Sequence, residues 1–309
     1  MSLPLALVGI GKIARDQHIP SISETDGLHL AATASRNPAA TVEAVPAYPS
    51  LTDLLEAGPD VAAVSLATPP QARFADAAAA LSAGKHVMLE KPPGATLSEV
   101  HALERMALDR DLTLFATWHS REAAAVDAAR DWLADKHLTS LRIIWKEDVR
   151  QWHPGQDWIW NAGGLGVFDP GINALSVMTA ILPGAVHLTS ADLHFPTNRE
   201  TPVAAELRFH HADGAAITAA FDWLEQGPPT WTIEIETREG AARLSEGGAR
   251  FQPNDGVEVA GEDAEYRRLY RRFGDLIATG ASDVDLSPMR HVSDAFTLGR
   301  RIDAPSFDW

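Results

Sequence analysis

Leu5-Ala6-Leu7-Val8-Gly9-Ile10-Gly11-Lys12-Ile13-Ala14 is the stretch from which the fold can be read. A short apolar run ends in glycine, and Gly9, Gly11 and Ala14 fall at the spacing of the G-x-G-x-x-G/A turn that joins a first strand to a first helix. Gly9 permits the tight turn, Gly11 lets the backbone approach a pyrophosphate, and Ala14 allows helix to pack closely on strand. Amides at the helix start would face the anion. Gly9, Ile10, Gly11, Lys12 and Ile13 are therefore expected to bind a dinucleotide.

Working outward, Leu28 to Ser35 supplies the second strand of a strand-helix-strand unit, and further apolar runs stand at 61–66, 86–89 and 112–116. The stretches between them are long enough for helical crossovers, the alanine-rich Asp76 to Ala83 among them. Runs this apolar suit parallel strands buried on both faces. Beyond Thr117 the texture changes. A helix is expected over Arg121 to Leu133, followed by alternating segments such as 141–145 and 231–236, with turns at Asp213-Gly214, Glu239-Gly240 and Asp255-Gly256. The chain reads as α/β: an N-terminal Rossmann dinucleotide-binding domain over 1–118, then a C-terminal α+β domain over 119–309 with an open, mostly antiparallel sheet.

With 26 basic and 42 acidic residues the formal charge is −16, which repels phosphate backbones and anionic lipid, so neither nucleic acid nor a membrane is expected as a partner. There is no cysteine, and the start Met1-Ser2-Leu3-Pro4 lacks the basic and small-residue features of an export signal, so the expected location is the cytoplasm. No ligand spacing for a metal occurs among the 12 histidines, and none is expected. His210-His211, adjacent in a strand-like segment, should point to opposite faces and read as surface residues.

At the end of the second strand an acidic residue commonly binds the ribose of NAD; here Ser35 and Arg36 stand instead. A hydroxyl and a guanidinium suit a 2′-phosphate, so NADP should be accepted and even preferred, with NAD as the alternative. Thr68 joins the expected cofactor-binding set. After the fourth strand come Glu90-Lys91-Pro92-Pro93, at the sheet edge where open α/β folds bind ligands, and Pro92 biases Lys91 towards an extended backbone.

On the nucleotide turn, Glu90-Lys91-Pro92 and the glycine-rich stretch Gly163 to Asn173, the chain resembles the Gfo/Idh/MocA oxidoreductases. The strings Gly11 to His18, Met88 to Thr96 and Phe115 to Ser120 are most similar to the bacterial branch that oxidises L-arabinose and D-galactose at the anomeric carbon. That resemblance implies contact of Lys91, with Glu90, to the nicotinamide region, and of Lys91 to the reacting hydroxyl. It also implies subunit pairing, a homo-oligomer formed through the C-terminal sheet. A lysine with its ordinary pKa of about 10.4 acts as a base only if burial or nearby cations lower it by roughly 2 to 3 units; otherwise it serves as a charged donor.

The family stretch usually ends in aspartate and, four residues on, histidine; here the two are Asp169 and Asn173, which would share one helix face. Asparagine cannot take up a proton, so proton removal falls to Lys91, Asp169 or His119. The expected arrangement couples Lys91 and Asp169 at the anomeric hydroxyl, with Asn173 positioning it and His119 binding a more distant hydroxyl. Asp169 could alternatively cap the helix ahead of Pro170. Nine tryptophans, with Trp145, Trp152, Trp158, Trp160, Trp223 and Trp231 clustered, offer rings for the apolar faces of a pyranose; Trp152, His153 and Trp231 are the expected substrate contacts. An aldose is thus the expected small-molecule partner, with two competing readings: another aldose or an inositol as substrate, or a dinucleotide-binding sensor without catalysis.

Overall fold

The computed structural model describes residues 2–309 and divides into two compact units, one running to His119 and including Ala264–Leu286, the other comprising Ser120–Asp263 and Ser287–Trp309. The first unit carries a six-stranded parallel sheet of β1 (Leu3–Val8), β2 (Leu28–Ala34), β3 (Ala47–Tyr48), β4 (Ala63–Leu66), β5 (His86–Leu89) and β6 (Leu114–Ala116), in the order β3-β2-β1-β4-β5-β6. β1 pairs with both β2 and β4, so the chain reverses its direction of winding there, and the crevice beyond the carboxyl ends of those strands is where such sheets bind ligands. Gly9 follows β1 and Thr68 follows β4 at that crevice.

Both faces of the sheet are covered, which is why its strands lack alternation. Ala6, Val8, Val64, Leu66 and Leu89 pack under the helices Leu51–Ala57, Pro70–Ser82 and Leu97–Leu108. Leu5, Ala63, Met88 and Phe115 on the other face pack against Ile22 and against Tyr266, Leu269, Tyr270 and Phe273. Those last four lie on the helix Glu265–Thr279. A single boundary near residue 118 assigns this segment to the second domain, whereas it belongs with the first sheet. Without it, four large side chains and the strand face beneath them would stay in water, at about 1.5 to 3 kcal/mol for each side chain.

In the second unit nine strands form a mixed sheet: β7 (Leu138–Lys146), β8 (Val186–Pro196), β9 (Ala204–His211), β10 (Ala216–Asp222), β11 (Thr230–Thr237), β12 (Ala241–Ser245), β13 (Arg250–Pro253), β14 (Val259–Ala260) and β15 (Arg300–Ala304). The order is β14-β13-β12-β11-β7-β10-β9-β8-β15, antiparallel except for the pairs β10–β7 and β15–β8. The buried helix Phe168–Ile181 packs on β7 and on the helices Val126–Leu133 and Ser287–Leu298. The first of these starts later than the residue pattern suggests, after a 3-10 turn at His119–Glu122. The three expected turns fall between β9 and β10, β11 and β12, and β13 and β14.

His210 and His211 do point to opposite faces, but only His210 is exposed; His211 is buried, with Asp213 N–H donating to its Nδ1 at 3.2 Å. The surface reading of His211 is therefore corrected. Its strand face packs inward, and Gly184 lies so close that a β-carbon there would stand 2.8 Å from His211 Nε2. Among the described residues, no helix is long and apolar enough to cross a membrane.

Candidate active site

The Gly9 turn is built as its sequence requires. Gly9 adopts φ of 89°, and a β-carbon there would stand 2.9 Å from the Ala67 carbonyl carbon and the Thr68 nitrogen, so both the conformation and the space demand glycine. At Gly11 an added β-carbon would meet nothing within 4 Å, which leaves the backbone approachable from outside. The helix starting at Lys12 widens into a π-helical turn over Ala14–His18 and continues as Ile19–Ser23. Thr68 Oγ1 is buried with no hydrogen-bond partner among the described residues, an acceptor and donor held ready beside the turn. Ser35 is half-buried and Arg36 exposed at the end of β2, where Ser35 Oγ accepts from Asn37 N–H at 3.2 Å. Arg36 lies close enough to Asp76 to oppose the upward shift that burial imposes on that carboxyl. These features fit the dinucleotide binding expected of the turn: Gly9 to Ile13 and Thr68 would hold the phosphates, and Ser35 and Arg36 would face the adenosine ribose.

After β5 the chain enters the Glu90-Lys91-Pro92 turn, whose carbonyls are gathered by a buried arginine. Arg73 donates to the carbonyl oxygens of Thr68, Glu90 and Pro92, so the ends of β4 and β5 are tied by one guanidinium. Glu90 is buried; its Oε1 accepts from the Lys91 backbone N–H at 2.9 Å and its Oε2 lies 3.1 Å from His18 Nε2. Burial pushes the Glu90 carboxyl up, but the hydrogen bond from His18 and the charges of His18, His119 and Arg73 prevail and bring it down to about 2. His119 Nδ1 stands 2.5 Å from Glu265 Oε2, with its ring stacked on Tyr266 at 5.4 Å. Burial lowers the His119 pKa, yet Glu265 and Glu90 outweigh it and hold the imidazole above its usual range. Lys91, Glu90 and His119 thus share one electrostatic neighbourhood within the first unit.

Asp169 and Asn173 both lie on the helix Phe168–Ile181, one turn apart. The helix begins at Phe168 with Val167 as its cap and no side-chain cap bond, so Asp169 does not cap it. Instead Asp169 Oδ2 lies 3.1 Å from His153 Nε2. His153 packs edge-on against Trp223 at 5.4 Å, and behind it Glu147 accepts two indole N–H groups, from Trp223 at 3.2 Å and from Trp231 at 2.8 Å. Burial raises the Glu147 pKa and the charge of Asp169 adds to the rise, against the two indoles. Trp231 stacks on Trp145 at 6.0 Å and meets Trp152 at 5.5 Å. Trp145, Trp160 and Trp223 are buried, whereas Trp152 is 38% exposed and Trp231 half-buried. The two rings singled out from the sequence are thus among those that reach the surface.

Of the expected residues, the first unit groups Lys91, Glu90 and His119, and the second groups Asp169, Asn173, His153, Trp152 and Trp231. The sequence reading missed His18, Ser65, Arg73, Glu265, Tyr266 and Tyr270. Ser65 carried a signal, as a polar residue inside an apolar run, whereas Arg73 stands in a helix with exposed neighbours and gave none; the tyrosines lie some 180 positions from Glu90 in the chain and gave none either.

Residues 3–117 match the family model for the Gfo/Idh/MocA oxidoreductases, described as an oxidoreductase family with an NAD-binding Rossmann fold. A galactose 1-dehydrogenase of Pseudomonas fluorescens is 43% identical, over 98% of this chain and 98% of that protein. The crystal structure of a D-galactose-1-dehydrogenase from Rhizobium etli superimposes with a TM-score of 0.95 at 54% identity, covering 99% of this chain and 98% of that one. A 3-ketoreductase from Actinomadura kijaniata, solved with NADP and TDP-benzene, aligns with a TM-score of 0.86 at 20% identity over 99% of this chain and 100% of that one, a likeness of fold alone.

Proposed function

The chain belongs to the Gfo/Idh/MocA oxidoreductases, with an NAD(P)-binding Rossmann domain, and from that premise we propose that it oxidises the anomeric carbon of D-galactose, and of L-arabinose, to the lactone. The observation that carries this reading is the likeness, over nearly the whole chain, to two proteins named galactose 1-dehydrogenases. The composition of the second unit's polar-aromatic cluster agrees with it: indole faces for sugar C–H groups, with Asp169, His153 and Asn173 as hydrogen-bonding partners for hydroxyls.

The reaction removes a hydride from C1 and a proton from its hydroxyl, and the nicotinamide, when bound, accepts the hydride. The residues of the chain handle the proton and the orientation. Lys91 and Asp169 are the proton-handling pair, the lysine supplying a donor for the hydroxyl oxygen and the aspartate an acceptor oriented by His153. Asn173 positions the hydroxyl, and His119, Trp152, His153 and Trp231 bind the rest of the sugar. Ser35 and Arg36 receive the 2′-phosphate of NADP, with NAD as the weaker cofactor.

The outer face of the large sheet supports pairing with a second copy. Arg142, Glu206 and Arg208, exposed, and Glu234, half-buried, put charges of both signs on strands β7, β9 and β11, which a two-fold partner can match. Sedimentation at two concentrations tests this: a stable dimer or tetramer is expected, and a monomer throughout would remove the pairing. The catalytic reading is tested by turnover of a panel of aldoses with each dinucleotide. Tight dinucleotide binding with no turnover of any sugar would replace the enzyme by a sensor.

A further inference from the structure

A line of buried polar groups runs behind the Glu90-Lys91 turn. Ser65 Oγ lies 3.0 Å from the Tyr270 hydroxyl, that hydroxyl 2.7 Å from His18 Nδ1, His18 Nε2 3.1 Å from Glu90 Oε2, and Glu90 Oε1 2.9 Å from the Lys91 N–H. Ser65, Tyr270, His18 and Glu90 are all buried. We propose that His18 and Tyr270 are positioning residues for the reaction: Tyr270 holds the His18 ring in place, and His18 fixes the Glu90 carboxylate against the Lys91 backbone.

A carboxylate only accepts, so His18 Nε2–H must donate to Glu90. His18 Nδ1 then meets the Tyr270 hydroxyl, which meets the Ser65 hydroxyl in turn, so every polar atom along the line has a partner. Tyr270 keeps its proton because burial and the charge of Glu90, against the hydrogen bond from Ser65, hold its pKa far beyond the physiological range. The line ends at Ser65 in the interior of the sheet, so it has no outlet through which to deliver protons to solvent. Its effect is orientation. The π-helical turn over Ala14–His18 ends on the histidine that reaches Glu90, and the helix Glu265–Thr279 returns to the first unit carrying Tyr270 and Tyr266.

Every charged or titratable group facing Glu90 bears on its test: His18 from the first helix, Arg73 from the helix Pro70–Ser82, Lys91 beside it, His119 with its partner Glu265, and Tyr266 and Tyr270 from the returning helix. Because Glu90 raises His119, loss of the Glu90 charge moves His119 in the acid direction.

The consequence for rate rests on the sugar-oxidation reading; the proton on His18 Nε2 does not. Nitrogen-15 NMR of the histidines in the intact protein with NADP bound should show His18 carrying a proton on Nε2, with its Nδ1 signal altered in Tyr270→Phe. Finding a proton on Nδ1 alone, or an Nδ1 signal that Tyr270→Phe leaves unmoved, would overturn the proposal. With galactose, Tyr270→Phe should lower kcat about tenfold and His18→Leu about 100-fold, the scale of a misplaced reacting group, while Kd for NADP stays within about twofold. His18→Gln, which can both donate and accept, should restore most of the rate. Unchanged kcat in both loss variants, or losses that follow NADP affinity or melting temperature, would overturn the positioning role. Absence of sugar turnover by the parent protein would refute the function reading, and the NMR result would still decide where the His18 proton lies.

Discussion

His153 Nε2 lies 3.1 Å from Asp169 Oδ2, so the carboxylate at the start of the helix Phe168–Ile181 has an imidazole partner even though position 173 carries asparagine. The partner comes from a different element, ahead of the helix in the chain, and the Asp169 carboxylate meets it rather than capping the helix end.

Asp169→Asn keeps the size of the side chain and its place near His153 but removes the negative charge. We expect kcat to fall by at least about 10²-fold, as for loss of a proton-transfer group, with the melting temperature little changed. Lys91→Ala should fall by a similar factor. Steady-state kinetics beside thermal melts check both, and near-normal kcat in the aspartate variant would leave it a structural residue.

Much of this site was legible in the residues. Gly9 to Ala14 fixed the turn because so few backbones permit φ of 89° against a neighbouring strand. Alternation in the second half gave an open sheet because one face meets water. The tyrosines behind Glu90 could not be read, since His18 links Glu90 to a Tyr270 that returns from 180 positions further along the chain and no periodicity reports such a return. Likewise the pairing of His153 with Asp169 depends on how a loop folds back onto a helix, and residue types alone left His153 only a sugar contact. His211 misled because alternation predicts opposite faces without saying which of two histidines turns inward.

Glu147 holds two indoles with its two oxygens. Glutamine offers one acceptor oxygen and places an NH2 against the second indole N–H, so Trp231 loses its anchor. Glu147→Gln should raise KM for galactose about tenfold with a smaller change in kcat, roughly the worth of one hydrogen bond to a charged group. A rise in NADP Kd instead would place Glu147 outside sugar binding.

The low Glu90 pKa makes a statement about acid stability. A carboxylate held at about 2 in the folded chain, against 4.5 ordinarily, contributes stability above the unfolded value that is lost as pH falls through that window. The contribution is roughly 3 kcal/mol at most. Urea melts from pH 7 to pH 2 should show Glu90→Gln less stable than the parent near neutrality and the difference closing towards pH 2. A constant difference would mean that the charge plays no part.

Arg36 stands at the end of β2 with no acidic residue beside it in the chain. Arg36→Ala should weaken NADP by about tenfold or more and NAD far less, the difference expected for a charge-assisted bond to phosphate. Titration with each dinucleotide measures this, and equal losses would remove the 2′-phosphate contact.

The most direct test of the whole account is the rate at which reduced nicotinamide appears when the purified protein meets D-galactose and NADP. Turnover with formation of the lactone, abolished or lowered at least about 10²-fold in Lys91→Ala, is the predicted result. A protein that binds NADP tightly and leaves every aldose unoxidised would contradict it.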